Sequence, residues 1–306
     1  MRFDVDTDRE IADSLVRNKS RSLLTGFGVF WGVFMLLFLI GGGKGLKQVM
    51  SSNFEGFATN TCIMGASRTS KPWKGLKEGR SWYMTYTDVE RLKRMVPELE
   101  IVTPMISNWG QEAQNGTNTI NCNVKGVYAD YSKIEEPQLR YGRYLNESDV
   151  AQERKVCVIG KRIYQSLFPG GGDPCGKSIR VDSIYYQIVG VDFNSGNISI
   201  NGSADEAVVV PLPIAQKIYQ RGNSVDLLCA TGRSGVQMST LEGRLRSIIA
   251  RSHDFDPDDR DALMVLNTEQ MFAIMDNLFT GLNFLIWLVG LGTILAGIIG
   301  VSNIMM

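Results

Sequence analysis

The chain has 306 residues, of which 44% are hydrophobic, with 32 basic and 32 acidic side chains. That length suits one large or two medium domains. Balanced charge excludes the basic surplus that nucleic-acid binding needs, and a mean hydropathy near zero excludes a chain built mostly of membrane spans.

The average conceals strong segregation along the chain. Thr7-Asp8-Arg9-Glu10 has the capping-box pattern, with Ile11, Leu15 and Val16 on one helical face and Arg9, Asp13 and Arg17 opposite. Residues 1–22 are therefore expected to form a short amphipathic helix on the cytoplasmic membrane surface. Arg21 and Lys44 then bracket 22 residues without a charge. Residues 23–40 read as a transmembrane helix, because 18 residues at about 1.5 Å each cover roughly 27 Å. A cleavable signal peptide has a shorter apolar region after a short basic stretch, whereas five acids precede this one. Arg17, Lys19 and Arg21 favour a cytoplasmic N-terminus. Lys44 and Lys47 oppose it, but Arg260 is the only basic residue between Asp254 and Asp276. Asp276 is the last charge in the chain, so residues 278–306 read as a second span. It ends without polar flanking residues, which is the expectation for a chain cut near the end of a helix. Residues 41–277 are then displayed outside the cytoplasm.

Within that region, Thr87-Asp88-Val89-Glu90 reads as a capping box, followed by Val89, Leu92 and Val96 at helical spacing and stopped by Pro97. A second helix carries Leu241, Leu245, Ile248 and Ile249 on one face. A third starts near Thr268 and, with no breaker, is expected to run into the second span. Short apolar or alternating runs predict strands at 62–64, 156–159, 185–191, 207–210 and 225–230. The class is α+β: two transmembrane helices flanking a mixed domain, with a β-rich part at 110–222 inserted into a β–α–β unit made from the flanks at 58–109 and 223–268.

The motifs that suggest chemistry are weak. Gly171 to Ser178 matches the phosphate-loop pattern, which needs strand, loop, then helix; here a helical stretch precedes and a strand follows. Asp254, Asp256, Asp258, Asp259 and Asp261 lack the glycine and glutamate spacing of a calcium loop and read as a solvated acidic turn. His253, the only histidine, reads as a surface residue. The five cysteines include no C-x-x-C and suggest no pairing. No nucleophile–base pair stands out, so catalytic, metal and cofactor sites are expected to be absent. Gly28 and Gly32, and Ala296 and Gly300, are helix-packing candidates of the small-x-x-x-small type.

Several ordered segments together resemble the MacB/FtsX family of ABC-transporter permease subunits. They are Asn18-Lys19-Ser20-Arg21-Ser22-Leu23-Leu24-Thr25, Gly142-Arg143-Tyr144, Lys155-Val156-Cys157-Val158-Ile159-Gly160, Asp173-Pro174-Cys175-Gly176-Lys177-Ser178 and Gly297-Ile298-Ile299-Gly300-Val301-Ser302-Asn303. Cys157 and Cys175 stand where the family usually has aliphatic residues. The resemblance implies a bacterial inner-membrane permease with a periplasmic core domain and two further spans beyond this chain. It implies a second permease copy, a partner ABC ATPase subunit, and in some members a periplasmic adaptor and outer-membrane channel. Its implied role is export or efflux by conformational coupling, with no bond chemistry in the permease. A lipoprotein-releasing or cell-division permease is the alternative within the family; a two-span periplasmic sensor or receptor, or a membrane-anchored hydrolase, are alternatives outside it.

Overall fold

The computed structural model describes residues 19–53, 56–194 and 199–305. The amphipathic helix expected over 1–22 lies outside the described residues up to position 18, and Lys19 already belongs to the helix of the first span. The chain divides into two compact units, Met1–Ser51 with Ala273–Met306, and Ser52–Phe272.

In chain order the elements are α1 (Lys19–Asn53), β1 (Thr61–Ala66), β2 (Met84–Thr85), α2 (Tyr86–Met95), β3 (Leu99–Asn115), β4 (Asn118–Val127), β5 (Leu139–Gly142), α3 (Glu147–Ala151), β6 (Val156–Gly160), α4 (Lys161–Leu167), β7 (Ser178–Val181), β8 (Ile184–Asp192), β9 (Ala207–Pro211), α5 (Leu212–Ile218), β10 (Ser224–Val225), β11 (Leu227–Gly232), α6 (Met238–His253), β12 (Leu263–Asn267) and α7 (Thr268–Met305).

Each strand expected from the sequence is present, with two corrections. The run at 225–230 is broken at Asp226 into β10 and β11, because the Asp226 carboxylate turns aside to accept the Ser107 amide at 2.8 Å. The alternating stretch after Ser178 is a hairpin, β7 and β8, turned at Asp182 with φ +49°. The helix cap near 87 also moves: Thr85 is the N-cap, and Asp88 reaches back to its amide at 2.9 Å. The helix that holds the expected span at 23–40 runs on through Gly41, Gly42 and Gly43 to Asn53.

The main sheet runs β12-β1-β11-β3-β4-β9-β6-β8-β5. β3 is the long member. Its first half pairs with β11, and from Ile106 onward it pairs with β4, with a bulge between Asn108 and Gln111. Gly110 takes φ +70° in that bulge, where a side chain would be strained. The boundary expected at residue 110 thus falls inside a continuous strand. β7 pairs with both β3 and β8, so the pairings close a ring through β3, β4, β9, β6, β8 and β7. Closure removes open edges there, and the ring encloses Ala113, Cys122, Cys157, Ile179, Ile188 and Val208. On the other half of the sheet, α2 and α6 bury Val89, Leu92, Leu245 and Ile249 against β1, β3 and β11.

Candidate functional site

The first unit is a pair of helices whose apolar side chains face outward. Leu37 is 64% exposed, Trp287 76% and Ile299 66%. Apolar surface this continuous has no place in water, and both helices have long apolar stretches, Gly26–Met50 and Thr268–Ile299. Two hydroxyls on the second helix are satisfied by their own helix: those of Thr280 and Thr293 each donate to the carbonyl one turn back, of Asp276 and Val289, at 2.8 Å.

The packing candidates fall differently. A Cβ at Gly32 would collide with the Thr293 side chain, whereas one at Gly28 would meet nothing within 4 Å. Ala296 is exposed, and the surroundings of Gly300 lie outside the described residues. Sequence reading did not single out Gly43, Gly290 and Gly297, whose added Cβ atoms would meet Leu282 at 2.8 Å, Leu36 at 3.2 Å and Val29 at 3.5 Å. Thr293 is β-branched and stiff, so Gly32→Ala is expected to destabilise the pair by about 1–3 kcal/mol. Gly28→Ala should change it by less than about 0.5 kcal/mol. Steric-trap or detergent-unfolding measurements on the two variants would separate them.

In the second unit, the start of α7 is held on several sides. The Thr268 hydroxyl accepts the Thr61 amide at 3.0 Å and lies 3.0 Å from the carbonyls of Ala58 and Thr61, to one of which it can donate. Asn267 caps the helix by accepting the Glu269 amide at 3.1 Å. Glu269 in turn accepts the Ser239 amide at 2.9 Å, so it satisfies a donor in the first turn of α6. Asn60 completes that end: its side-chain oxygen accepts the Met238 amide at 3.2 Å, and its side-chain nitrogen donates to Val236 at 2.8 Å. The residues that bring the chain into the domain and those that take it out are therefore tied to one another and to α6. Cys62 sits beside this knot, and burial, with Glu242 and Glu269 nearby, pushes its thiol up to about 12, which makes it inert. The Asn267-Thr268-Glu269 triplet before a long apolar run was the available cap signal; the tie of Thr268 to Ala58 and Thr61 spans more than two hundred residues of sequence and had none.

Two buried polar groups correct the sequence reading. His253 is not a free surface residue. Its Nε2 lies 2.8 Å from the Asp88 carboxylate, and its ring packs 4.5 Å from that of Trp82. Asp88 is buried and also accepts the Thr85 amide and an Arg91 guanidinium at 3.1 Å. Burial opposes its ionisation, but the bonds from His253 and Thr85 outweigh it and hold the carboxyl below the ordinary 3.8. A depressed carboxylate stabilises the fold above its unfolded pKa, and this is lost as pH falls through the folded one. The stability gap between parent and Asp88→Asn should therefore be full above about pH 4 and shrink below it, as read from urea midpoints across pH.

The second group is Lys125 on β4, 2% exposed. Its ammonium donates to Ser199 Oγ at 2.8 Å and to the Gly202 carbonyl at 2.9 Å. Glu135 accepts from Ser199 and, at 2.8 Å, from the Tyr131 hydroxyl. Burial pulls the Lys125 pKa down, against the raising influence of Glu135 and Asp192. The cavity beside it, about 20 Å³, has room for a single water. The network is saturated with structural bonds and offers no space for a substrate.

The phosphate-loop look-alike is a turn. α4 precedes it and β7 follows, the reverse of the order nucleotide binding requires. Its Lys177 ammonium lies 5.5 Å from the Phe168 ring centroid. Among the described residues, no group of three or more His, Cys, Asp or Glu side chains is placed to hold a metal.

Residues 22–248 match the family model for the MacB-like periplasmic core domain. The chain therefore belongs to that family, and it carries two helices long and apolar enough to cross a membrane. Among similar proteins, a macrolide export ATP-binding/permease protein MacB of Rhodospirillum rubrum is 23% identical over 294 residues, covering 96% of this chain and 44% of that protein. A pyoverdine export ATP-binding/permease protein PvdT of Pseudomonas putida is 23% identical over 293 residues, covering 94% and 42%. The crystal structure of the periplasmic region of MacB from Actinobacillus actinomycetemcomitans superposes with a TM-score of 0.57 at 18% identity, covering 74% of this chain and 96% of that one. This chain thus spans less than half the length of the curated relatives it matches, and the structural likeness establishes the shared fold.

Proposed function

We propose that the chain is part of a permease in a bacterial inner membrane, with its N-terminus in the cytoplasm and residues 41–277 in the periplasm. It carries no catalytic group of its own. A partner ABC ATPase hydrolyses ATP on the cytoplasmic side, two permease copies work together, and the periplasmic domains change conformation to export a compound, handing it to an adaptor and outer-membrane channel. The division of the outer domain into porter-like parts (58–109, 223–268) and an inserted part (110–222) belongs to this reading. Relatives named for macrolide and pyoverdine export support the direction of transport.

The observation that carries the proposal is α7. It is one uninterrupted helix from Thr268 to Met305, and its first turn is bound to β1 and α6 through Thr268 and Glu269. The continuity of this helix supports the reading that changes in the outer domain are coupled to the membrane segment. The test uses the full-length protein with its ATPase in proteoliposomes, carrying Tyr185→Cys at a position 66% exposed. A membrane-impermeant thiol reagent should label it from the face opposite the ATPase. Spin labels there should change separation on adding ATP and magnesium. Labelling from the ATPase side would refute the orientation, and an ATP-independent distance would refute the coupling.

A further inference from the structure

Lys44 and Lys47 lie on α1, three residues apart and hence on neighbouring positions of one helix face. Neither forms an ion pair among the described residues; Lys47 rests its ammonium 5.6 Å from the Phe279 ring centroid. Both edge a groove of about 520 Å³ that lies wholly within the helix pair. No acidic side chain lines it; Asn283 is the one uncharged polar side chain in its lining, and the rest of the wall is apolar, with Ile40, Ile286 and Trp287 among its members. The sequence explains why a groove forms here. A Cβ at Gly43 would stand 2.8 Å from Leu282, so the helices touch at that point and make a floor. Gly43 is the only glycine in the lining, and its missing side chain leaves the space above that contact to Lys44 and Lys47.

We propose that this groove is a binding site for one anionic phospholipid of the surrounding bilayer, with an acyl chain along the Ile40–Ile286–Trp287 wall and its headgroup phosphate between the two ammoniums. The chemistry selects this occupant. A soluble anion would leave the apolar walls uncovered, a zwitterionic lipid carries a choline or amine that repels the lysines, and an acidic peptide would bring unsatisfied backbone amides into hydrocarbon. The site requires only that the helix pair lies in a bilayer, so it stands or falls separately from the export role.

The test uses the full-length protein in nanodiscs and lipids brominated on their acyl chains. The signal is the quenching that disappears in a Trp287→Phe variant. Brominated phosphatidylglycerol should quench this component at lower mole fraction than brominated phosphatidylcholine, with a preference of about five-fold contributed by each lysine. Lys44→Gln with Lys47→Gln should bring the two lipids level at unchanged helicity, and Lys44→Arg with Lys47→Arg should retain the preference. Equal quenching by the two lipids in the parent, no quenching by either, or a preference that survives the double glutamine variant would each overturn the assignment.

Discussion

Asp259→Ala is expected to destabilise the folded domain by about 3–5 kcal/mol, among the largest losses a single surface-loop substitution could cause. The residue belongs to a run of acids, yet it is fully buried. One carboxylate oxygen accepts the Ser70 amide at 2.7 Å and the Lys71 amide at 3.1 Å. The other accepts the Ser70 hydroxyl at 2.7 Å and the amides of Asp261 and Ala262 at 3.1 and 3.2 Å. It thereby pins the loop after β1 to the turn before β12, and the same turn receives the Trp82 indole N–H on the Ala262 carbonyl at 2.9 Å. Removing the carboxylate strands these donors. Burial disfavours its charge, but the bonds from Ser70, Lys71 and Ala262 prevail and hold its pKa below 3.8. The contribution is therefore present above the unfolded pKa and disappears as pH falls through the lower folded one. Urea midpoints followed by tryptophan fluorescence would show the deficit at pH 7 narrowing in acid. Asp259→Asn, which keeps the shape but turns one acceptor into a donor, should remain well below the parent.

The contrast between Asp259 and its neighbours shows where sequence reading runs out. Five aspartates within eight positions look like one solvated turn, and nothing local distinguishes the one that faces inward; three of its five donors come from Ser70 and Lys71, far away in sequence. The two apolar helices were legible because the absence of charge over a bilayer's thickness is a local property. So were β6 and β9, whose buried runs of valine and isoleucine have no other use. The β3–β4 hairpin was not, because its distal half, Trp109 to Asn121, is mostly polar: of that stretch only Ala113 is fully buried. Its strand character comes from backbone pairing around a closed ring, and that information sits in β7 and β9. The small residues of the spans were half legible. Spacing marks Gly28 and Gly32 equally, but only the partner helix decides which of them meets a threonine.

Ala273→Pro is the corresponding test of α7. Ala273 is exposed and is the first residue past the folded unit that ends at Phe272, so the substitution removes little packing. Proline there deletes the amide that donates to the carbonyl of Glu269 and presses its ring on the preceding turn, at a cost of about 3 kcal/mol to helix continuity. The knot at Thr268 and the apolar stretch are both left chemically intact. The expected outcome is a protein that inserts and shows normal acid and urea stability in its outer domain. On the proposed export reading, the ATPase partner should still hydrolyse ATP, while export falls at least about tenfold because proline interrupts the helix. Ala273→Leu, which restores a strong helix former at the same position, should export like the parent. Equal export by the proline and leucine variants would mean that the outer domain is driven through another route, and the rigid-helix account of coupling would have to be abandoned.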